Sequence, residues 1–178
     1  MSLIETAAGI VGADRVLTGA EADPWRRDWT GTYPSDPLAV VRPGSTAEVA
    51  ALVRAARDAG TAIVPVSGNT GLTGAAQADG ALVVSLDRMA RIREIRSEAR
   101  LATVEAGVIL SQLHDAAEAE GLAFPMTFGA RGSARIGGIL STNAGGSNVL
   151  AHGNARDLCL GIEAGLPDGR SLDLMSAL

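Results

Sequence analysis

The sequence predicts an α+β fold in two subdomains, and three observations carry that expectation. A strand–helix–strand unit fills residues 38–66 and another apolar strand follows at 81–86, the pattern of a small parallel sheet. Beyond it the signals change to antiparallel hairpins, at 92–106 and again at 158–174. Finally, 47% of the 178 residues are hydrophobic but only 3% are aromatic, so the core is expected to be built from Ala, Val, Leu and Ile. The division that follows is a lead-in over 1–37, a first subdomain over 38–96 and a second over 97–178.

The elements follow in order. Ser2 and Glu5 have capping-box spacing before an Ala-rich run, so a short helix starts the chain and Gly9 or Gly12 ends it. Residues 23–43 hold four prolines, both tryptophans and the only tyrosine, which predicts an irregular lead-in with one short strand at 38–42. Trp25 and Trp29 are expected to be packing anchors. Ser45 caps the next helix with Glu48 at the reciprocal position, and Val49, Leu52, Val53 and Ala56 form its apolar stripe. Gly60 supplies the C′ residue, and residues 61–66 form a β-branched strand, parallel to the strand at 38–42. A second amphipathic helix runs from about 109 to 120 and stops at Gly121. The last hairpin turns at Pro167-Asp168-Gly169.

Charge and composition exclude several functions. All 15 strongly basic residues are Arg, against 20 acidic ones, for a net charge of −5. Without lysine there is no Walker A loop and no Schiff-base chemistry. An acidic chain lacking a basic cluster is a poor nucleic-acid ligand. No apolar stretch is long enough to cross a bilayer, and Met1-Ser2-Leu3-Ile4-Glu5 does not read as a signal peptide, so a cytoplasmic location is expected. The single Cys159 lies in an apolar run and reads as a small buried hydrophobe. His114 reads as a solvated surface residue and His152 as loop filler. No acid–base pair, triad or metal cluster can be assembled, so no catalytic residue and no metal ligand is named.

Two side-chain-poor ribbons carry the functional signal. The first is Ser67-Gly68-Asn69-Thr70-Gly71-Leu72-Thr73-Gly74, directly after a strand. Its glycines free the backbone for φ > 0, so that successive N–H groups can face one anion without help from a lysine. Its spacing is not the G-x-G-x-x-G of a Rossmann turn. The second ribbon runs from Gly129 to Gly146 and alternates glycine with small polar residues, with a helix start near Ile136. Such stretches occur where backbone comes close to something flat or highly charged. The two ribbons must share one hollow for this reading to hold.

These motifs resemble the FAD-linked oxidase family, the vanillyl-alcohol-oxidase/PCMH type of FAD-binding domain. The likeness rests on Pro65-Val66-Ser67-Gly68-Asn69-Thr70-Gly71-Leu72, on Gly129-Ala130 with Gly132-Ser133, on Ile136-Gly137-Gly138, and on Thr142-Asn143-Ala144-Gly145-Gly146. Gly153-Asn154-Ala155-Arg156-Asp157-Leu158 and Leu166-Pro167-Asp168-Gly169 point to the D-2-hydroxyacid dehydrogenase branch, the D-2-hydroxyglutarate and D-lactate enzymes. The resemblance implies a PCMH-type domain of two α+β subdomains, one small βαβ and one mainly antiparallel and incomplete here. It implies that Ser67, Gly68, Asn69, Thr70, Gly71 and Leu72 hold the FAD pyrophosphate. Gly129, Ala130, Gly132, Ser133, Gly137, Gly138, Thr142, Asn143 and Gly145 would line the rest of the cofactor.

Some relatives carry a flavin-linked His in the first ribbon; Asn69 stands there, so FAD is expected to be non-covalent. A cap domain, the source of the family's substrate Arg and metal-binding His, is absent from this sequence, which therefore reads as an N-terminal fragment without catalytic machinery. The implied parent is a flavin enzyme that oxidises a D-2-hydroxy acid, with an unidentified electron acceptor and an open question of self-association. The alternatives are a non-catalytic nucleotide-binding module, an inactive remnant, or an oxidase of another alcohol on the same domain.

Overall fold

The computed structural model describes residues 1–175. Helix α1 (Leu3–Val11) opens the chain with both halves of the capping box in place: Ser2 Oγ accepts from Glu5 N at 3.2 Å and Glu5 Oε2 accepts from Ser2 N at 2.7 Å. Gly12, with φ 92°, ends it. Strand β1 (Val16–Leu17) follows, then 3-10 turns, then β2 (Ala39–Val41), α2 (Thr46–Asp58), β3 (Ile63–Val66) and β4 (Leu82–Ser85). In α2, Ser45 Oγ accepts from Glu48 N, while Glu48 reaches past the cap to Gly44 N at 2.8 Å.

The first sheet has the order β1-β2-β4-β3. β4 is parallel to both β2 and β3, pairing Val83 with Val40 on one side and with Val64 on the other. The strands flanking α2 are thus parallel, as the βαβ reading requires, but β4 lies between them. β2 and β4 are buried on both faces, which is why their sequences are continuous apolar runs without alternation. Ala39, Val41, Leu82 and Val84 pack on Leu52 and Ala56 of α2 and on Ala7 of α1. Val40 and Val83 face the other way, onto Val66, Ala22 and Ala78. The two-residue β1 closes the edge antiparallel to β2, too short for any periodicity to announce it.

The pairing then changes. β5 (Ile92–Arg96) and β6 (Leu101–Val104) form an antiparallel hairpin with a register shift between Ile92 and Glu94. This hairpin crosses residue 96, where the sequence set a subdomain boundary; the switch from parallel to antiparallel pairing comes earlier, between Ser85 and Ile92. Helix α3 (Leu110–Ala119), α4 (Ile136–Ser141) and α5 (Val149–His152) follow. Leu110, Leu113, Ile136 and Ile139 share one core cluster with Val108 and Met126. β7 (Glu163–Gly165) and β8 (Ser171–Asp173) make the last hairpin, whose turn docks on α2. There Arg54 Nη1 donates to Gly169 O at 2.7 Å and Arg57 Nη1 to Asp168 O at 3.2 Å.

Four side chains depart from expectation. Trp25 packs on the first sheet, but Trp29 is 73% exposed, because the turn that carries it projects from the surface. Cys159 is half-buried, with Sγ near Gly161 O. His114 is held rather than solvated: its Nε2 lies 2.7 Å from Met126 O. His152 ends α5 instead of sitting in a loop, and is exposed.

Candidate functional site

The connection from β3 to β4 builds the first wall of the site. Parallel neighbours need a return path, and here residues 67–81 supply it without a helix, as a run of bends and turns from β3 to β4. Among the described residues, the backbone N–H groups of 68–74 donate to no protein acceptor. Polar backbone left unpaired in this number is unusual away from free solvent.

The second ribbon meets the first. A Cβ on Gly68 would collide with the carbonyl oxygen of Ser133 and lie 3.1 Å from Ala134 Cα and Arg135 N. Ser67 and Gly138 approach as well, a Cβ on Gly138 falling 3.7 Å from Ser67 Cβ. Ala106 links them: its carbonyl accepts from Ser67 Oγ at 3.1 Å and from Gly137 N at 2.8 Å. Arg135 reaches back from the second ribbon to Gly107 O at 2.5 Å and Asp87 O at 3.3 Å.

Both ribbons border an open cleft of about 1920 Å³, which also runs along β6, residues 121–125 and residues 158–165. Ser67, Gly68, Asn69, Thr70, Gly71 and Leu72 line it, and so do Ala130, Gly137, Gly138 and Thr142. Gly129, Gly132, Ser133, Asn143 and Gly145 do not. Ser133 offers its carbonyl to the Gly68 contact instead, and the Asn143 side chain accepts from Arg156 N at 3.1 Å, beyond the end of α4. A Cβ on Gly145 would meet Asn154 Oδ1 at 3.3 Å, so that glycine serves packing. The helix start near Ile136 is present as α4, and Gly138 N–H has no protein acceptor among the described residues.

The expectation that the ribbon's glycines supply its positive φ angles fails at the first two of them. Neither Gly68 nor Gly71 takes a positive φ; in this ribbon Asn69 (φ 48°) and Gly74 (φ 72°) do. Gly68 is required by close approach, and Gly71 faces open space with nothing within 4 Å of a Cβ. Gly137 is likewise a packing glycine, since a Cβ there would lie 2.7 Å from Ala106 Cβ.

The charge in the site is organised around Glu105, 3% exposed and one residue before the shared carbonyl. Burial pushes its carboxyl up, but hydrogen bonds from the Arg91 side chain and backbone N–H, with the Arg91 and Arg93 charges, outweigh this and hold it below its ordinary value. Arg91 Nη2 donates at 2.7 Å and Arg91 N at 2.9 Å. Sequence reading passed over Glu105, because a lone acid between strand and glycine carries no motif. Among the described residues, no group of three or more His, Cys, Asp or Glu is placed to hold a metal. No helix there is long and apolar enough to cross a membrane.

Main-chain donors without protein acceptors, on a ribbon that borders an open cleft, are the groups a dinucleotide-binding domain of the α+β class would use for its ligand's phosphates. The FAD binding domain family matches residues 37–175, and the chain belongs to that family. It is 42% identical over 160 residues to the D-2-hydroxyglutarate dehydrogenase of Xanthomonas citri pv. viticola, covering 89% of this chain and 34% of that one. To the enzyme of the same name from Stutzerimonas stutzeri it is 38% identical over 175 residues, covering 97% and 38%. The chain thus spans about a third of the length of the curated relatives it matches. Its fold superposes on alkyldihydroxyacetonephosphate synthase with a TM-score of 0.86 at 18% identity, over 98% of this chain and 34% of that one.

The cofactor of this family is FAD, and the residues present fit it. A pyrophosphate offers only acceptors, and residues 68–74 offer unpaired N–H donors beside the empty space over Gly71. No His stands in the first ribbon, so its side chains give no covalent attachment point of that kind.

Proposed function

We propose that this chain is the FAD-holding part of a flavin-dependent oxidoreductase that oxidises a D-2-hydroxy acid of the 2-hydroxyglutarate, lactate or glycolate class to the 2-oxo acid. One observation carries the cofactor part: the two ribbons converge on Ala106 and leave the N–H groups of 68–74 pointing at no protein partner. The substrate part is supported by the relatives named D-2-hydroxyglutarate dehydrogenase. When bound, FAD supplies the two-electron acceptor for the α-hydride of such an acid.

In this reading Ser67, Gly68, Asn69, Thr70, Gly71 and Leu72 take the pyrophosphate. Ala130, Gly137, Gly138 and Thr142 flank the remainder of the cofactor. Gly129, Ser133, Gly132, Asn143 and Gly145 shape the second ribbon without touching the ligand. No residue of the chain is assigned to the chemical step, and electrons pass to an acceptor of unspecified kind. The same proposal divides the chain into a lead-in over 1–37, a first subdomain over 38–96 and a second over 97–178, and the change from parallel to antiparallel pairing falls between β4 and β5. It also keeps the protein in the cytoplasm, which fractionation against membrane and organelle markers tests.

The central experiment is to release bound flavin from purified protein by heat, identify it by chromatography, and titrate the stripped protein with FAD and with FMN. Binding of FAD well above FMN is expected, since only FAD has a pyrophosphate. Equal affinity for both would remove the ribbon from its assigned role. In the intact protein, dye reduction should follow D-2-hydroxyglutarate or D-lactate and not the L-enantiomers.

A further inference from the structure

The first ribbon has a difficulty that the cleft does not resolve. Its N–H groups at 68–74 make no bonds within the protein, so nothing internal to the ribbon selects one conformation from many. The lead-in supplies what is missing. Asp28 closes a tight turn by accepting from Thr30 N at 3.1 Å, Thr30 Oγ1 at 2.6 Å and Tyr33 N at 3.0 Å, which fixes where the Tyr33 ring points.

One edge of that ring meets the far end of the ribbon. A Cβ on Gly74 would sit 2.8 Å from Tyr33 Cδ1, and Gly74 has φ 72°, so both the ring and the backbone turn demand glycine there. At the near end, Asn69 takes φ 48° and its Nδ2 donates to Arg27 O at 3.0 Å. Just past the ribbon, Gln77 Nε2 donates to Pro34 O at 3.1 Å and Ala78 N to the buried Ser35 Oγ at 2.7 Å. Asp36 N donates to Asp79 Oδ1 at 2.6 Å, and Gly80 N to Asp36 O at 2.9 Å. Residues 27–36 therefore grip 69–80 at both ends, and residues 27–36 precede the matched family region at 37–175.

We infer that residues 27–36 are a strap that holds the first ribbon in its cofactor-binding shape, with Tyr33 its positioning residue. Tyr33 does not line the cleft; it acts through Gly74 on the donors that do. Its phenol hydroxyl bonds to no protein group among the described residues, so the ring and not the hydroxyl does the holding. The inference rests on the FAD reading above and adds how the empty site is kept ready.

The test uses the intact protein, stripped of flavin, with two readouts. FAD affinity is measured by titration, and ribbon order by the rate of chymotrypsin cleavage after the exposed Leu72 with no flavin present. Tyr33→Ala is expected to weaken FAD about tenfold, to speed that cleavage, and to shift the visible flavin spectrum towards that of free FAD. Tyr33→Phe restores wild-type values in all three. Leu52→Ala, which loosens the sheet core far from the strap, leaves FAD affinity within about twofold while lowering the melting temperature. Should Tyr33→Ala fail to fold, Gln77→Ala removes the tether to Pro34 O from outside the cleft, with the same direction of effect. A wild-type protein that binds FAD while Tyr33→Ala binds it equally well, with unchanged cleavage, overturns the strap alone. A wild-type protein that takes up no FAD overturns the FAD reading and this inference with it.

Discussion

The two glycine-rich ribbons look alike in sequence and are built for different ends. The first is open: its N–H groups at 68–74 are unpaired and a Cβ on Gly71 would meet nothing. The second is folded on itself, with Ser133 N and Ala134 N donating to Ala130 O, Arg131 N to Phe128 O, and a helical turn in α4. Its Gly137 and Gly146 lie where a Cβ would meet Ala106 Cβ at 2.7 Å and Thr127 O at 2.5 Å, so these glycines serve chain-to-chain packing. Glycine density alone does not distinguish a surface that presents donors from one that lets two backbones touch. What distinguishes them is where the N–H groups go.

Substitutions can break this contrast, and the largest effect is expected at the junction. Gly68→Val puts a branched side chain into the Ser133 carbonyl and Arg135 backbone, neither of which can swing aside. A stability loss of about 3 kcal/mol is expected from such overpacking, together with loss of bound flavin. Thermal unfolding and flavin content measure both, and a variant with native melting temperature would show that the ribbons do not meet at Gly68.

Next is the buried acid behind the shared carbonyl. Glu105→Gln removes charge-assisted bonds to Arg91, an arginine that is itself mostly exposed, so about 1–2 kcal/mol is expected after allowance for solvent screening. The pH dependence has a definite sign. The folded-state carboxyl titrates below its ordinary 4.5, so its contribution is complete above that value and is lost as pH falls through the lower, folded one. Wild type and Glu105→Gln should therefore differ in melting temperature near neutral pH and converge in acid. A gap that stays constant down to about pH 3 would assign the loss to packing instead.

Gly71→Ala separates binding from stability. With open space at the Cβ and no positive φ, the apo protein should melt as wild type does, while the added methyl over the donors weakens FAD by about tenfold, or 1.4 kcal/mol. Unchanged FAD affinity would mean the ligand runs elsewhere. Gly129→Ala is the small-effect counterpart. It sits outside the cleft with nothing within 4 Å, and both stability and affinity should stay within about 0.5 kcal/mol of wild type.

These contrasts also mark how far the sequence could be read. Caps and stops are local chemistry, so Ser2 with Glu5, Ser45 with Glu48, and the positive φ at Gly60 and Gly121 were legible residue by residue. The β-branched runs of β3 and β4 and both hairpins were legible from their period and turn residues. Glycines among small polar residues directly after a strand single out residues 67–72 as a compact signal, and those residues border the cleft. Gly129, Gly132, Ser133, Asn143 and Gly145 carry the same signal and do not border the cleft, and composition does not record which way a backbone faces. Trp29 and Tyr33 stand four residues apart in one polar lead-in. One is left in solvent and the other is pressed on Gly74, a difference set by the Asp28 turn and invisible to any propensity.

The sequence by itself determined the α+β class, most of the elements, and the place of a lysine-free, glycine-rich ribbon directly after β3, because each depends on interactions within a few residues. Only the tertiary structure decided that β4 inserts between β2 and β3, that the ribbons close on the Ala106 carbonyl, and that Glu105 and Tyr33 stand behind them. Those contacts join residues from 14 positions apart (Arg91 and Glu105) to 65 apart (Gly68 and Ser133), and a close approach between distant backbones has no local energetic signature to be read in advance.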